Sequence, residues 1–562
     1  MKRFLLSALA VAGLLSSAVC AHGQPQPAGE MKPLAVLSLS SYGELESDLK
    51  FLGDVAGSPE LAEQLDVTLQ GLTQGQGLAG LDKKRPWGAA VLSNGMQFQV
   101  LTFLPVTDLD QLLASLAQFV GEPEDLGDGV LHLHVQQQHE IYIKQQNGWA
   151  FFSNQAEQLT GLPMDPAKLL GDLPRHYDVA LRANIQNIPQ GQRDFAIDMV
   201  KQGAQGNLQQ MPDESDEQYA LRAQLTQNQL DAMTTAINDL NELTLGWSID
   251  AKGKRTYFDV GMTMVEGSES AKQLAATPTT ESKLSGFLLP GAVFKMHVNS
   301  GIVESDIQQT RAMLATVRNQ VMNELDNEQQ LPDGAAKEAI KELVGQVMDV
   351  LDATVKQGQI NMGMAVVGPG PFTVMIGAQV ADGGKLDNVV KKLVQMSADE
   401  PGFPEVKLDV ARHKGIRFHS LTIPYPDSPD SEAAKKLLGD KLVVTLGFGP
   451  QSVYVAIGPD ALIELKQVID TSARGAKTDL PPMQVEFALA PILKFASEQE
   501  GSDPSIAMLA EELADGGKDL ILMTQTQVPG GVRMRFEAQE GILKLIGAQA
   551  KQAAAAGGVG AF

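Results

Sequence analysis

Apolar positions recur along this chain in one layout. Two short apolar runs stand around a glycine, and a stretch with three- to four-residue apolar spacing follows. The layout reads WGAAVLSNGMQFQVLTFLPVTDLDQLLASL over 87–116, LGWSIDAKGKRTYFDVGMTMVEGSESAKQLAA over 245–276, MGMAVVGPGPFTVMIGAQVADGGKLDNVVKKL over 362–393 and MTQTQVPGGVRMRFEAQEGILKLIGAQ over 523–549. Each predicts strand, turn, strand, helix. Asn94-Gly95, Lys252-Gly253, Pro369-Gly370 and Gly530-Gly531 fall at the turns, where hairpins need positive φ.

Each copy follows a further strand: LAVLSLSS (34–41), DVALRANI (178–185), AVFKMHVN (292–299) and MQVEFALA (483–490). Helical spacing fills the interval after each. In the third copy Ile307, Leu314, Val317, Val321 and Leu325 line one helix. Ile340, Leu343, Val347, Leu351 and Val355 line another beyond Pro332-Asp333-Gly334, which predicts a helical hairpin. A smaller strand–turn–strand–helix unit, 140–159 and 441–466, is preceded by VLHLHV (130–135) in the first case and VKLDVA (406–411) in the second. The expected fold is α+β: antiparallel hairpins packed with helical hairpins, as four copies of a β-α-(α)-β-β-α module in two halves, 33–278 and 282–551, joined by a linker over 277–286.

The N-terminus departs from this layout. Lys2 and Arg3 precede an apolar run from Phe4 to Val19, and Val19-Cys20-Ala21 places small residues where a signal peptidase cuts. This predicts a signal peptide over 1–21 and a periplasmic or extracellular protein. Residues 22–32 read as a flexible leader and 552–562 as a low-complexity tail. No later run approaches the roughly 18 apolar residues of a transmembrane segment. Cys20 is the sole cysteine. As a lipidated first residue it would tether the protein, the alternative to cleavage after Ala21. Cleavage leaves no cysteine and excludes disulfides, thiolate nucleophiles and Cys-ligated zinc.

Lys and Arg number 44 against 68 Asp and Glu, a net charge of −24. A surface this acidic repels phosphate backbones, so nucleic acid is not an expected partner. Aromatic residues at 5% argue against a stacking platform for bases.

The chain resembles exported proteins of planctomycete-type bacteria. The resemblance rests on the export signal, on Arg85-Pro86-Trp87-Gly88 opening a hairpin, and on FLPVTDLDQLLASL over 103–116. It extends over most of the mature chain and implies no activity, so no site residue is taken over from it.

Candidate chemistry is sparse. His132 and His134 lie two apart on an expected strand and therefore share a face, and His139, at an expected turn, could fold back beside them. Such an imidazole set suits zinc or copper. The bland reading is a polar strand face. His413 and His419 flank Lys414-Gly415 and read as exposed turn histidines. The segments at 366–372 and 446–452 are glycine-rich but lack phosphate-loop spacing and read as hairpin turns. Glu304 and Asp306 read as first-turn helix acids. Neither a GxSxG elbow nor an HExxH motif occurs.

These observations point to a non-enzymatic exported binding or structural protein of the envelope or extracellular space, without a cofactor and with an envelope protein as partner. One alternative is a carrier of a hydrophobic, lipid-like ligand, suggested by Met262, Met264, Met362, Met364, Met375, Met508 and Met523 in and near the repeats. Another is a metal-dependent hydrolase using His132, His134 and His139. Oligomeric state stays open.

Overall fold

The computed structural model describes residues 30–555, apart from 58, 60–66, 68–69, 72, 74, 96, 118–120, 136–138, 207–209, 211–213, 215, 277–281, 328–333, 399–402, 427–428, 475–479, 500–503 and 515–518. The expected signal peptide, most of the expected leader and the end of the expected tail lie outside these. Two compact units are present, Met1–Ala271 with Val528–Phe562, and Lys272–Gln527.

The first unit carries β1 (Lys32–Leu39), β2 (Trp87–Ser93), β3 (Phe98–Pro105), β4 (Glu124–Asp125), β5 (Val130–Val135), β6 (His139–Gln146), β7 (Trp149–Ser153), β8 (Val179–Asn184), β9 (Leu240–Asp250) and β10 (Arg255–Met264). The second carries β11 (Phe294–Gly301), β12 (Gln359–Val367), β13 (Thr373–Gln379), β14 (Glu405–His413), β15 (Ile416–Ile423), β16 (Leu442–Gly449), β17 (Ser452–Ile457), β18 (Met483–Ala488) and β19 (Leu520–Val528). β20 (Gly531–Gln539) belongs to the first unit again, because it pairs with β10 from Arg255↔Gln539 to Thr263↔Gly531.

All strand pairs within each unit are antiparallel. In the first the order is β20-β10-β9-β8-β1-β2-β3-β7-β6-β5-β4. In the second it is β19-β18-β11-β12-β13-β17-β16-β15-β14. From β8 to β4 and from β18 to β14 the order is the same, and so is the register. One cross-strand row in the first unit is Leu181–Leu37–Ala89–Thr102–Phe152–Ile143–Leu131. Its counterpart in the second is Val485–Met296–Met364–Ile376–Val455–Leu446–His419.

The helices after β3 and β13 start at the same offset from that row. Leu109–Ser115 is capped by Asp108, which accepts from the Gln111 amide at 3.0 Å. Gly383–Ser397 is capped by Asp382, which accepts from the Lys385 amide at 2.9 Å. Each aspartate satisfies a backbone donor that the helix leaves free. A capping box of Ser41 and Glu44 likewise starts the helix Tyr42–Val55.

The first unit has a core on each sheet face. One gathers Val36, Leu101, Phe103, Trp149 and Phe151; the other gathers Leu109, Leu112, Leu113, Leu133, Ile143 and Ala150 under the capped helix. The core of the second unit centres on Phe287, Phe418, Met375, Tyr454 and Leu465. Phe287 lies flat against Gly363 and Gly377, where any side chain would collide with its ring. Leu284 is a core residue too, so the end of the expected linker is buried structure. The helix Glu540–Ala555 runs into the expected tail, and a further helix, Pro429–Leu438, follows β15. Among the described residues, no helix is long and apolar enough to cross a membrane.

Candidate functional site

The expected pair His132 and His134 lies on β5, and the strand period puts both on one face. Their ring centroids are 4.4 Å apart. His132 stacks on Tyr142 of β6 at 4.7 Å and 11°, its direct cross-strand neighbour. On the other side it faces Glu124 of β4. Glu124 Oε2 stands 3.7 Å from His132 Nδ1, beyond hydrogen-bond reach. Ligand atoms of Glu124, His132 and His134 all lie within 4.8 Å of one another. His132 is 9% exposed and its Nε2 has no hydrogen-bond partner. Glu124 and His134 are exposed. The Tyr142 hydroxyl donates to Glu140 Oε2 at 3.5 Å. Partial burial, and then the Glu140 charge, raise its pKa above the usual tyrosine range.

His139 is not at a turn. It opens β6 opposite Val135, and its side chain lies outside the described residues. Among the described side chains the third donor beside His132 and His134 is Glu124, which sequence reasoning missed. Two imidazoles and one carboxylate form a set that divalent transition metals accept.

His297, His413 and His419 are tied into structure. His419 is fully buried rather than an exposed turn residue. Its Nε2 bonds Asp387 Oδ1 at 2.6 Å, and its Nδ1 accepts the Asp409 amide at 2.9 Å. Arg417 joins Asp387 Oδ2 at 2.6 Å and Lys391 approaches it at 3.4 Å. His413, half-buried, bonds Asp470 at 2.8 Å. His297 is fully buried on β11, with Nε2 on the Ser282 hydroxyl and Nδ1 unpartnered. Burial lowers its pKa. With the Ser282 hydroxyl sealed in the interior, this pair pins the chain ahead of Leu284. Lys414 and Gly415 take the positive φ of the β14–β15 turn. The segments at 366–372 and 446–452 are hairpin turns, and Glu304 and Asp306 occupy a first helical turn.

A second feature is larger. Three cross-strand rows in the first unit run Leu37–Leu181–Leu245–Val260–Met534, Leu39–Val179–Trp247–Phe258–Phe536 and Ala35–Ala183–Leu243–Met262–Val532. They form one continuous apolar face on β1, β8, β9, β10 and β20. Leu181 is 41% exposed, Phe258 40% and Phe536 42%. On β9, β10 and β20 the opposite face is polar. There Asp259 is fully buried and receives both the Nε and Nη2 donors of Arg535 at 2.8 Å, and the Tyr177 hydroxyl at 3.0 Å. Burial, and then the Asp259 charge, push Tyr177 up to about 12. In the second unit the equivalent face carries Met296, Met364 and Val485 with the exposed Met362, Ile376 and Ile521.

No family model, no curated protein and no solved structure matches the chain.

Proposed function

We propose that the protein is an exported, non-enzymatic binding protein of the envelope or extracellular space, and that its working surface is the apolar sheet face. The observation that supports this is the exposure of Leu181, Phe258 and Phe536 within three continuous apolar rows. Contiguous apolar surface of this kind marks interaction sites. The four-copy module and the export signal over 1–21 belong to the same reading. So does a hydrophobic protein partner in the envelope.

Methionine favours a second reading, the carrier of a lipid-like ligand. Met262, Met296, Met362, Met364, Met483, Met523 and Met534 all sit on these faces, and flexible thioethers adapt to irregular apolar ligands.

The test uses a neutral naphthylamine fluorophore and native mass spectrometry of chain recovered from its envelope fraction. Saturable fluorophore binding, lost in Phe258→Asp, supports an apolar binding face. A co-purifying lipid mass selects the carrier, and a co-purifying protein selects the partner reading. No saturable binding, or binding unchanged by Phe258→Asp, refutes the assignment of this face.

A further inference from the structure

We propose that Glu124, His132 and His134 form a binding site for one divalent transition-metal ion, zinc(II) by preference. The donors come from two adjacent hydrogen-bonded strands, so pairing and the strand period hold their backbones in place. Their ligand atoms lie within 4.8 Å of one another. A tetrahedral ion with bonds of about 2.0–2.2 Å draws such atoms together by small side-chain rotations, which the exposed Glu124 and His134 are free to make. Two nitrogens and one oxygen suit a borderline-soft ion; calcium and magnesium ask for an all-oxygen shell. Three protein ligands leave a fourth position for water or an outside ligand.

His132 supplies an independent reason. It is nine-tenths buried, its Nε2 is unpartnered, and Glu124 at 3.7 Å is too far for a hydrogen bond to Nδ1. The two fully buried histidines of the second unit each pair at least one ring nitrogen, His419 both and His297 one. An unpaired buried polar atom costs about 1–3 kcal/mol. A metal bond at Nδ1, the nitrogen that faces Glu124, would give the ring a partner it lacks. Stacking on Tyr142 meanwhile holds the ring with one edge toward Glu124 and His134.

The second unit supplies a built-in comparison. By register, Lys407, Ser420 and Thr422 stand where Glu124, His132 and His134 stand in the first. A lysine, a serine and a threonine make no such ligand set, so the second unit does not repeat this site at the equivalent positions.

The experiment is equilibrium dialysis of the metal-free full chain against zinc(II), with elemental analysis, for the parent protein, Glu124→Gln and His134→Ala. Both substitutions are at exposed positions, and circular dichroism checks that the fold survives. The expected result is one saturable equivalent of zinc per chain, not displaced by excess calcium, with affinity reduced at least about tenfold in each variant. Cobalt(II) loaded in place of zinc should give a visible absorption band that His134→Ala abolishes. No saturable zinc, displacement by calcium, or equal affinity in parent and variants would overturn the proposal.

Discussion

Strands β5 and β15 hold the same place in their two units, yet their helix-covered faces bury different chemistry. In the first unit Leu113 and Leu131 join an apolar cluster under the helix Leu109–Ser115. In the second, the residues at those positions are Asp387 and His419, bonded to each other and joined by Arg417. The match follows from cross-strand register and from equivalent aspartate caps. The apolar solution asks only for volume. The ionic one asks for every lone pair to be met, because a buried charge is costly unless paired. The second unit meets that demand with a bulge. Register shifts between Lys407 and Ala411, and Asp409 at φ +53° turns its amide onto His419 Nδ1. One architecture therefore accommodates either chemistry, provided that the local backbone adjusts to the polar one.

The sharpest way to break the comparison is to place the second unit's acid in the first unit without its partners. Leu113→Asp should lose about 4–6 kcal/mol, combining a lost core side chain with an unpaired buried carboxyl. Hydrogen exchange of the β5 and β6 amides would report it, and protection as in the parent would refute it. Removing the acid from the second unit comes next. Asp387→Ala leaves Arg417 and His419 without their carboxylate and should cost about 3 kcal/mol, read as lost protection in β15 and β16. Converting the pair to the first unit's chemistry, Asp387→Leu with His419→Leu, should recover most of that and end within about 1 kcal/mol of the parent. A double variant as weak as Asp387→Ala would show that the ion network, not the space it fills, holds this region.

The smallest effect concerns an acid found on the first unit's side alone. Asp178 is buried just before β8, accepting from the Ile249 amide at 2.7 Å and the Ser40 hydroxyl at 3.3 Å. The register-equivalent residue is Pro482. Asp48, on the helix Tyr42–Val55, faces Asp178. Burial, and then the Asp178 charge, push its carboxyl up to about 7. Its folded value exceeds the unfolded one, so its contribution to stability is complete at low pH and is lost as pH rises through about 7. Partial exposure reduces the effect to on the order of 1 kcal/mol. Asp48→Asn should remove it, so denaturant midpoints from about pH 5 to pH 8 should fall less in the variant than in the parent. Parallel pH profiles would refute the assignment.

Local rules make much of this molecule legible in its amino-acid order. The hairpins at Asn94-Gly95 and Pro369-Gly370 follow from turn glycines between apolar runs, whereas after Lys252-Gly253 the positive φ falls on Lys254; the paired helices follow from three- to four-residue spacing. The shared face of His132 and His134 follows from the strand period alone. What sequence could not settle was long-range pairing. β20 lies against β10 across more than two hundred residues of chain, and its pairing assigns the C-terminal stretch to the first unit. Glu124 comes from a two-residue strand in a Gly- and Asp-rich stretch with no periodicity to announce it, so its place beside His132 is visible only in the register. His419 read as a turn residue because its polarity points outward by default; burial became possible only when Asp387, Arg417 and the Asp409 amide were folded around it. Sequence determined which segments become strands and helices, since that depends on neighbours a few residues away. Tertiary structure decided which side chains meet, since that depends on register between segments whose separation in the chain carries no information about their distance in space.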